Sequence, residues 1–293
     1  MPGEFKGVVP PIITPFAPDG SVNEDAYRKM MEYLIQDGAH GFWVCGAAGE
    51  GFVLDDDERI RIAEVSADQA RGRAKVIMHV GATTTRSAVK IAKRAAAAGV
   101  DAVASVPPLF YRPDDNTSVA YYNAIADAVD KPIFVYNLPG VTGVEVMPSL
   151  MERLVKEVPR IAGIKHSAPN FLNIHFFVKL GLAVFAGNSG LLLQALTMGA
   201  VGTIGSPLNI ATKLHVDIYN AYQAGDITKA QELQRKAADL NGFCFQYPHI
   251  ALYKAVLRER LGIDLGGPRP PVRALTEPQE ADVLRQAKEM GLL

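Results

Sequence analysis

The feature that most constrains this chain is a rhythm. Short apolar runs rich in β-branched residues recur eight times, and longer stretches with helical spacing separate them. The runs are GVVPPIITP from Gly7, GFWVCG from Gly41, KVIMHVG from Lys75 and DAVASVPP from Asp101. They continue with PIFVYNLP from Pro132, IAGIKHS from Ile161, LAVFAGN from Leu182 and AVGTIGS from Ala200. Their apolar character is continuous rather than alternating, as in parallel strands covered on both faces. Between them, Asp55-x-x-Glu58 is a capping-box pattern ahead of an Ile/Val stripe, and the Ala-rich SAVKIAKRAAAAG ends on Gly99 as helices commonly do. Eight strand–helix units in about 210 residues predict a (β/α)8 TIM barrel, an α/β fold that typically takes about 250 residues. An open doubly wound sheet is the rival architecture. From about Asp226 the pattern is helical throughout, in ITKAQELQRKAADL, IALYKAVLRERLG and EPQEADVLRQAKEM. The expected organisation is therefore a barrel over 1–225 and a C-terminal helical extension over 226–293 packed on it, with PRPP (Pro268 to Pro271) as a turn inside the extension.

Composition narrows the partners. The 293 residues are 48% hydrophobic and 21% charged, enough for a sizeable core, and the net charge of −1 creates no field for nucleic acid or an anionic membrane. No apolar run approaches the roughly 18 residues of a membrane span, and the opening MPGEFKG lacks a signal core. The two cysteines, Cys45 and Cys244, make neither a disulfide framework nor a ligand cluster, so a cytoplasmic location is expected. GAAGEG is out of phase with GxGxxG, there is no P-loop, and no His/Asp/Glu spacing suggests a metal. His79 and His166 read as structural. A small-molecule substrate is expected, with no nucleic acid, membrane or metal, and nucleotide binding has little support.

A barrel gathers the C-terminal ends of all its strands around one mouth, however distant in sequence. Several unusual residues fall at such ends: Gly46-Ala47-Ala48-Gly49-Glu50, Pro107-Pro108-Leu109-Phe110-Tyr111, Tyr136-Asn137, Lys165, Gly187-Asn188-Ser189-Gly190 and Gly205-Ser206. Lys165, closing the apolar IAGIK, is the most telling. A lysine at a strand end is ordinarily a snorkelling surface residue. Inside an apolar mouth, however, desolvation strips its proton, and the free amine can form a Schiff base with a 2-oxo acid. Tyr136 on the neighbouring strand is a natural proton carrier, and the Gly-rich turn offers backbone N–H groups to a carboxylate.

In order and spacing, GxxGE after the second run, YNLPGVTG at the fifth, GIK at the sixth and MGAVGTIGSPLN around the eighth are similar to one known group of proteins. Together with VVPPIITPF and GPRPPV, they resemble the dihydrodipicolinate synthase / N-acetylneuraminate lyase family over essentially the whole chain. The resemblance implies a TIM barrel with C-terminal helices, usually a homotetramer, and no metal or organic cofactor. It implies that Lys165 forms a Schiff base with pyruvate or a related 2-oxo acid and that Tyr136 relays protons. It also implies that the turn at Ala47, Ala48 and Gly49 holds the carboxylate and that the backbone around Ile204 lies beside the imine. Phe110, Ser167, Gly187, Ser189 and Ser206 complete the expected substrate contacts.

Departures from the family pattern bear on the substrate. Ala47 and Ala48 stand where both main activities carry hydroxyls. Val141 stands where the synthases hold an arginine, and Phe110 where they use a tyrosine reaching across a subunit contact. Ser189-Gly190 replaces the acidic pair of the sialic acid lyases, although YNLPGVTGV and GxIGSxxN are closer to their style. The expected activity is that of a class I lyase, N-acetylneuraminate lyase-like but with an altered pocket, joining or cleaving a 2-oxo acid and an aldehyde. Dihydrodipicolinate synthase, a 2-keto-3-deoxy sugar acid dehydratase or aldolase, and a non-catalytic 2-oxo-acid-binding protein remain as alternatives.

Overall fold

The computed structural model describes residues 4–293. Eight parallel strands form one sheet: β1 (Gly7–Val8), β2 (Gly41–Val44), β3 (Lys75–His79), β4 (Ala102–Ser105), β5 (Ile133–Asn137), β6 (Ile161–His166), β7 (Ala183–Ala186) and β8 (Gly202–Thr203). The order β1-β8-β7-β6-β5-β4-β3-β2 leaves β1 and β2 at the two ends. His40 N–H donates to Val8 C=O at 2.9 Å and Trp43 N–H to Pro10 C=O at 3.0 Å, so these ends meet as well. The sheet closes into the (β/α)8 barrel.

Most strands match the apolar runs, and two are shorter. The first run was expected to be nine residues of strand, but the ladder stops at Val8 because Pro10 and Pro11 have no N–H to donate. The chain stays extended there, tied through the Pro10 carbonyl. Around the barrel lie α1 (Glu24–Gln36), α2 (Asp56–Ala70), α3 (Thr85–Ala97), α4 (Asp115–Ala128), the single turn α5 (Pro139–Thr142), α6 (Pro148–Glu157), α7 (Asn173–Lys179), α8 (Leu192–Thr197) and α9 (Leu208–Gln223). The capping box forms as read: Asp55 N–H donates to Glu58 at 2.9 Å. The Ala-rich α3 buries Ala88, Ile91, Ala92 and Ala95 on one face, spaced three or four apart. Three further helices end the chain: α10 (Ile227–Cys244), α11 (His249–Leu261) and α12 (Glu277–Glu289). Among the described residues, no helix is long and apolar enough to cross a membrane, and both cysteines are free and buried.

The core has two layers. One fills the space between strands and helices. The other fills the barrel itself with Phe5, Val9, Trp43, Ile77, Phe134, Tyr136, Phe185 and Ile204. Gly163 serves that inner layer, since a Cβ there would come within 2.4 Å of the Phe134 ring and 2.3 Å of the Ala183 carbonyl oxygen. A glycine ahead of the lysine in GIK is what lets the Phe134 ring fill the barrel below it.

Candidate active site

Side chains alternate across a strand, so Ile164 joins the outer layer while Gly163 and Lys165 face the barrel interior. The β5–β6 register pairs Tyr136 with Lys165, and neighbouring strands bring such pairs within about 5 Å of each other. The Lys165 Nζ lies 4.2 Å from the centre of the Tyr136 ring and 4.9 Å from that of Trp43, which reaches across from β2. Trp43 and Tyr136 meet edge to face at 5.2 Å. The amine is thus boxed by two aromatic rings, and Lys165 and Tyr136 are each only 4% exposed.

Two opposing effects act on that amine. Ring faces attract an ammonium by about 2 kcal/mol or somewhat more when desolvated. Burial works the other way and lowers the pKa from the ordinary 10.5 to about 7, which at ~1.4 kcal/mol per decade of acidity amounts to roughly 5 kcal/mol. Desolvation wins, and a substantial fraction of the amine is neutral at physiological pH. Burial pushes the Tyr136 phenol up, opposed weakly by the Ser167 side chain, so the phenol keeps its proton and is available as a donor.

Histidine flanks the site twice. His166 Nε2 bonds the Asn170 carbonyl at 2.9 Å and its Nδ1 meets Asn137 Nδ2 at 3.2 Å, which fixes a neutral ring accepting from Asn137 and donating to Asn170. His79 stands edge to face with Tyr136 at 5.9 Å and accepts from Val106 N–H at 3.2 Å. Its burial and the nearby charges of Arg59 and Lys165 hold its pKa well below the imidazole range.

Above the amine opens a cavity of about 460 Å³, in the range of small-molecule sites. Of the residues expected from sequence, Lys165, Tyr136, Ala47, Ser167, Gly187, Ile204 and Ser206 line it. Gly187 permits a close approach there, because a Cβ would fall 1.9 Å from the Ser167 Oγ. The others lie elsewhere. Ala48 packs into the outer core, and Gly49 backs onto the Ile12 carbonyl, where a Cβ would come within 2.8 Å. Ser189 is wholly buried beside Gly205, one residue from the lining Asn188. Phe110 is 81% exposed, meets the exposed Tyr111 edge to face and lies outside the cavity. A larger cleft of about 910 Å³ opens among α9 to α12, but it touches neither Lys165 nor any strand end. Among the described residues, no group of three His, Cys, Asp or Glu side chains is arranged to hold a metal.

The GxxGE turn is pinned from the far end of the chain. Glu50 is buried with a left-handed backbone (φ 56°). Its carboxylate meets Lys254 Nζ at 2.9 Å and accepts the Arg269 N–H at 2.7 Å. Thr14 Oγ donates to the Gly49 carbonyl at 2.7 Å. Among the described residues no acceptor engages the Ala47 or Ala48 N–H. Sequence reasoning missed one wall altogether: Asn241 and Phe245 at the end of α10 and His249 and Tyr253 on α11 line the cavity. Their segments read as plain amphipathic helix, and no local pattern marks them.

Residues 4–290 match the Dihydrodipicolinate synthetase family. The chain is 31% identical to the 4-hydroxy-tetrahydrodipicolinate synthase of Methanopyrus kandleri, over 99% of this chain and 98% of that protein. It is 32% identical to the N-acetylneuraminate lyase of Clostridium perfringens, over 98% and 99%. Among solved structures, it superposes with a TM-score of 0.93 on a prophage protein of the family from E. coli K12 in complex with pyruvate, at 26% identity and 99% coverage of both chains. Fold and relatives together define a lyase-class enzyme on a TIM barrel. The chain belongs to the dihydrodipicolinate synthetase family.

Proposed function

We propose that the protein is a class I lyase that joins or cleaves a carbon–carbon bond through a Schiff base between Lys165 and pyruvate or a related 2-oxo acid. One observation carries the reading: a wholly buried lysine with a pKa of about 7, against the ring of a protonated tyrosine, at the floor of a small-molecule cavity. The neutral amine attacks the keto carbon, and Tyr136 gives its proton to the departing hydroxyl so that water leaves. The Tyr136 phenolate then takes a proton from the adjacent carbon, whose electron pair the iminium accepts, so an enamine forms and the phenol is restored; in the cleaving direction the breaking carbon–carbon bond supplies that pair. The free N–H of Ala47, on the cavity wall, suits the carboxylate. Reduction with borohydride in the presence of pyruvate should fix an adduct on Lys165, located by peptide mass. Absence of any adduct across a panel of 2-oxo acids overturns the reading.

The naming of many relatives favours a second reading, 4-hydroxy-tetrahydrodipicolinate synthase, which shares the imine and differs in the aldehyde. Against it stands a lining without an arginine to bind a second carboxylate. Measured turnover with aspartate semialdehyde decides between the two. The resemblance also supports a homotetramer, and the exposed Phe110 and Tyr111 offer apolar surface for a second copy to cover.

A further inference from the structure

With alanine at positions 47 and 48, the turn after β2 offers a carboxylate only backbone N–H groups. A side-chain donor can swing to meet its acceptor, whereas a backbone donor points wherever the main chain is placed. The placement of the whole turn therefore decides how well the Ala47 N–H meets an anion. Whatever fixes the turn becomes part of the site.

The turn does not hold itself by local preference. Cys45 and Glu50 bracket it with φ of 54° and 56°, a left-handed conformation that residues with side chains keep only where their surroundings enforce it. The enforcement comes from the far end of the chain. The Glu50 and Lys254 side chains are 0% and 3% exposed and meet at 2.9 Å. Lys254 Nζ also donates to the Gly267 carbonyl at 2.8 Å and stands 4.3 Å from the centre of the Phe16 ring. The Arg269 guanidinium lies 4.4 Å from the centre of that same ring, pairs with Glu58 at 2.6 Å and donates to the Val53 carbonyl at 3.0 Å. The segment 267–269 thus straps the turn against Phe16. Ala47, three residues before Glu50, and Tyr253, the neighbour of Lys254, both line the cavity. One buried ion pair therefore ties together two of its walls.

We propose that Glu50 and Lys254 are positioning residues that hold the Ala47 N–H where the carboxylate of the imine-forming 2-oxo acid lands, and so give the site its preference for an acid over a neutral ketone. The inference rests on the Schiff-base reading. Neither side chain lines the cavity, and the pair acts through the turn. Its removal should weaken recognition of the carboxylate and leave the Lys165 amine, carried on β6, in place.

The test is cyanoborohydride trapping by the intact protein with pyruvate and with methyl pyruvate, which keeps the shape and lacks the anionic charge. The double variant Glu50→Gln/Lys254→Met removes both charges together, so neither is stranded, and keeps a side-chain oxygen for the Arg269 N–H. The native protein should favour pyruvate. In the double variant the pyruvate-to-methyl-pyruvate ratio of trapping efficiencies should fall about tenfold, through a higher half-saturating concentration of pyruvate, while methyl pyruvate stays within about twofold of native. Glu50→Asp keeps the charge and withdraws the carboxylate by one methylene. It should shift the ratio the same way, and it carries the test where circular dichroism finds the double variant unfolded. A native protein that traps methyl pyruvate as readily as pyruvate, a ratio unmoved in the variants, or an equal fall with both compounds each overturns the positioning role while sparing the imine. Failure of the native protein to trap either compound overturns both.

Discussion

On the proposed function Lys165 carries the chemistry, and its burial comes at a cost to the fold that has a pH signature. Its folded pKa of about 7 lies below the unfolded 10.5, so between these values the unfolded chain binds the extra proton. Stability from this group therefore rises with pH from about 7 to 10.5 and is lowest below 7, where a charged amine is forced into the barrel. Lys165→Met should raise stability, with a gain about 2–3 kcal/mol larger at pH 6 than at pH 9, read by denaturant unfolding at both pH values. The same variant should have no measurable turnover. In the native enzyme, the rate of imine trapping should fall as pH drops through about 7, because protonation removes the nucleophile. Tyr136→Phe keeps the ring against Trp43 and removes the proton, so kcat should fall by roughly 10²–10⁴-fold while circular dichroism stays unchanged. At this scale the lysine and tyrosine were legible because each is odd for its strand. Trp43 was not, since a tryptophan in an apolar run reads simply as core.

At the scale of elements, the strand that ends in Lys165 and the turn that ends in Glu50 are held by different means. β6 gets its register from both neighbours, pairing Tyr136 and Phe185 on either side of the lysine. The turn instead depends on a buried ion pair with α11. Lys254→Met would strand the Glu50 carboxylate without its partner, which should cost about 3–5 kcal/mol. Adding Glu50→Gln should recover part of that loss, and thermal unfolding of the single and double variants checks it. Local signals such as the Asp55–Glu58 box act within a few residues and were readable. The Glu50–Lys254 pair spans some two hundred residues, and no sequence pattern announces a partner at that distance.

At the scale of the molecule, a tetramer is the expected state, and light scattering should return four times the 31.6 kDa chain mass. A single-chain mass would remove the subunit contact suggested by Phe110 and Tyr111. The barrel itself was legible from the eightfold rhythm, because strands covered on both faces must be apolar throughout and their crossovers must be helical. Read alone, the sequence determined the number and order of strands, the helical character of the stretches between and after them, and the candidate lysine, all of which follow from local periodicity and from residues out of keeping with it. Tertiary structure alone decided that Trp43 boxes the amine, that Ala48 and Phe110 lie off the cavity, and that α10 and α11 build its far wall. These are contacts between segments remote in the chain, fixed by how closed layers pack against each other, and packing leaves no period in a sequence.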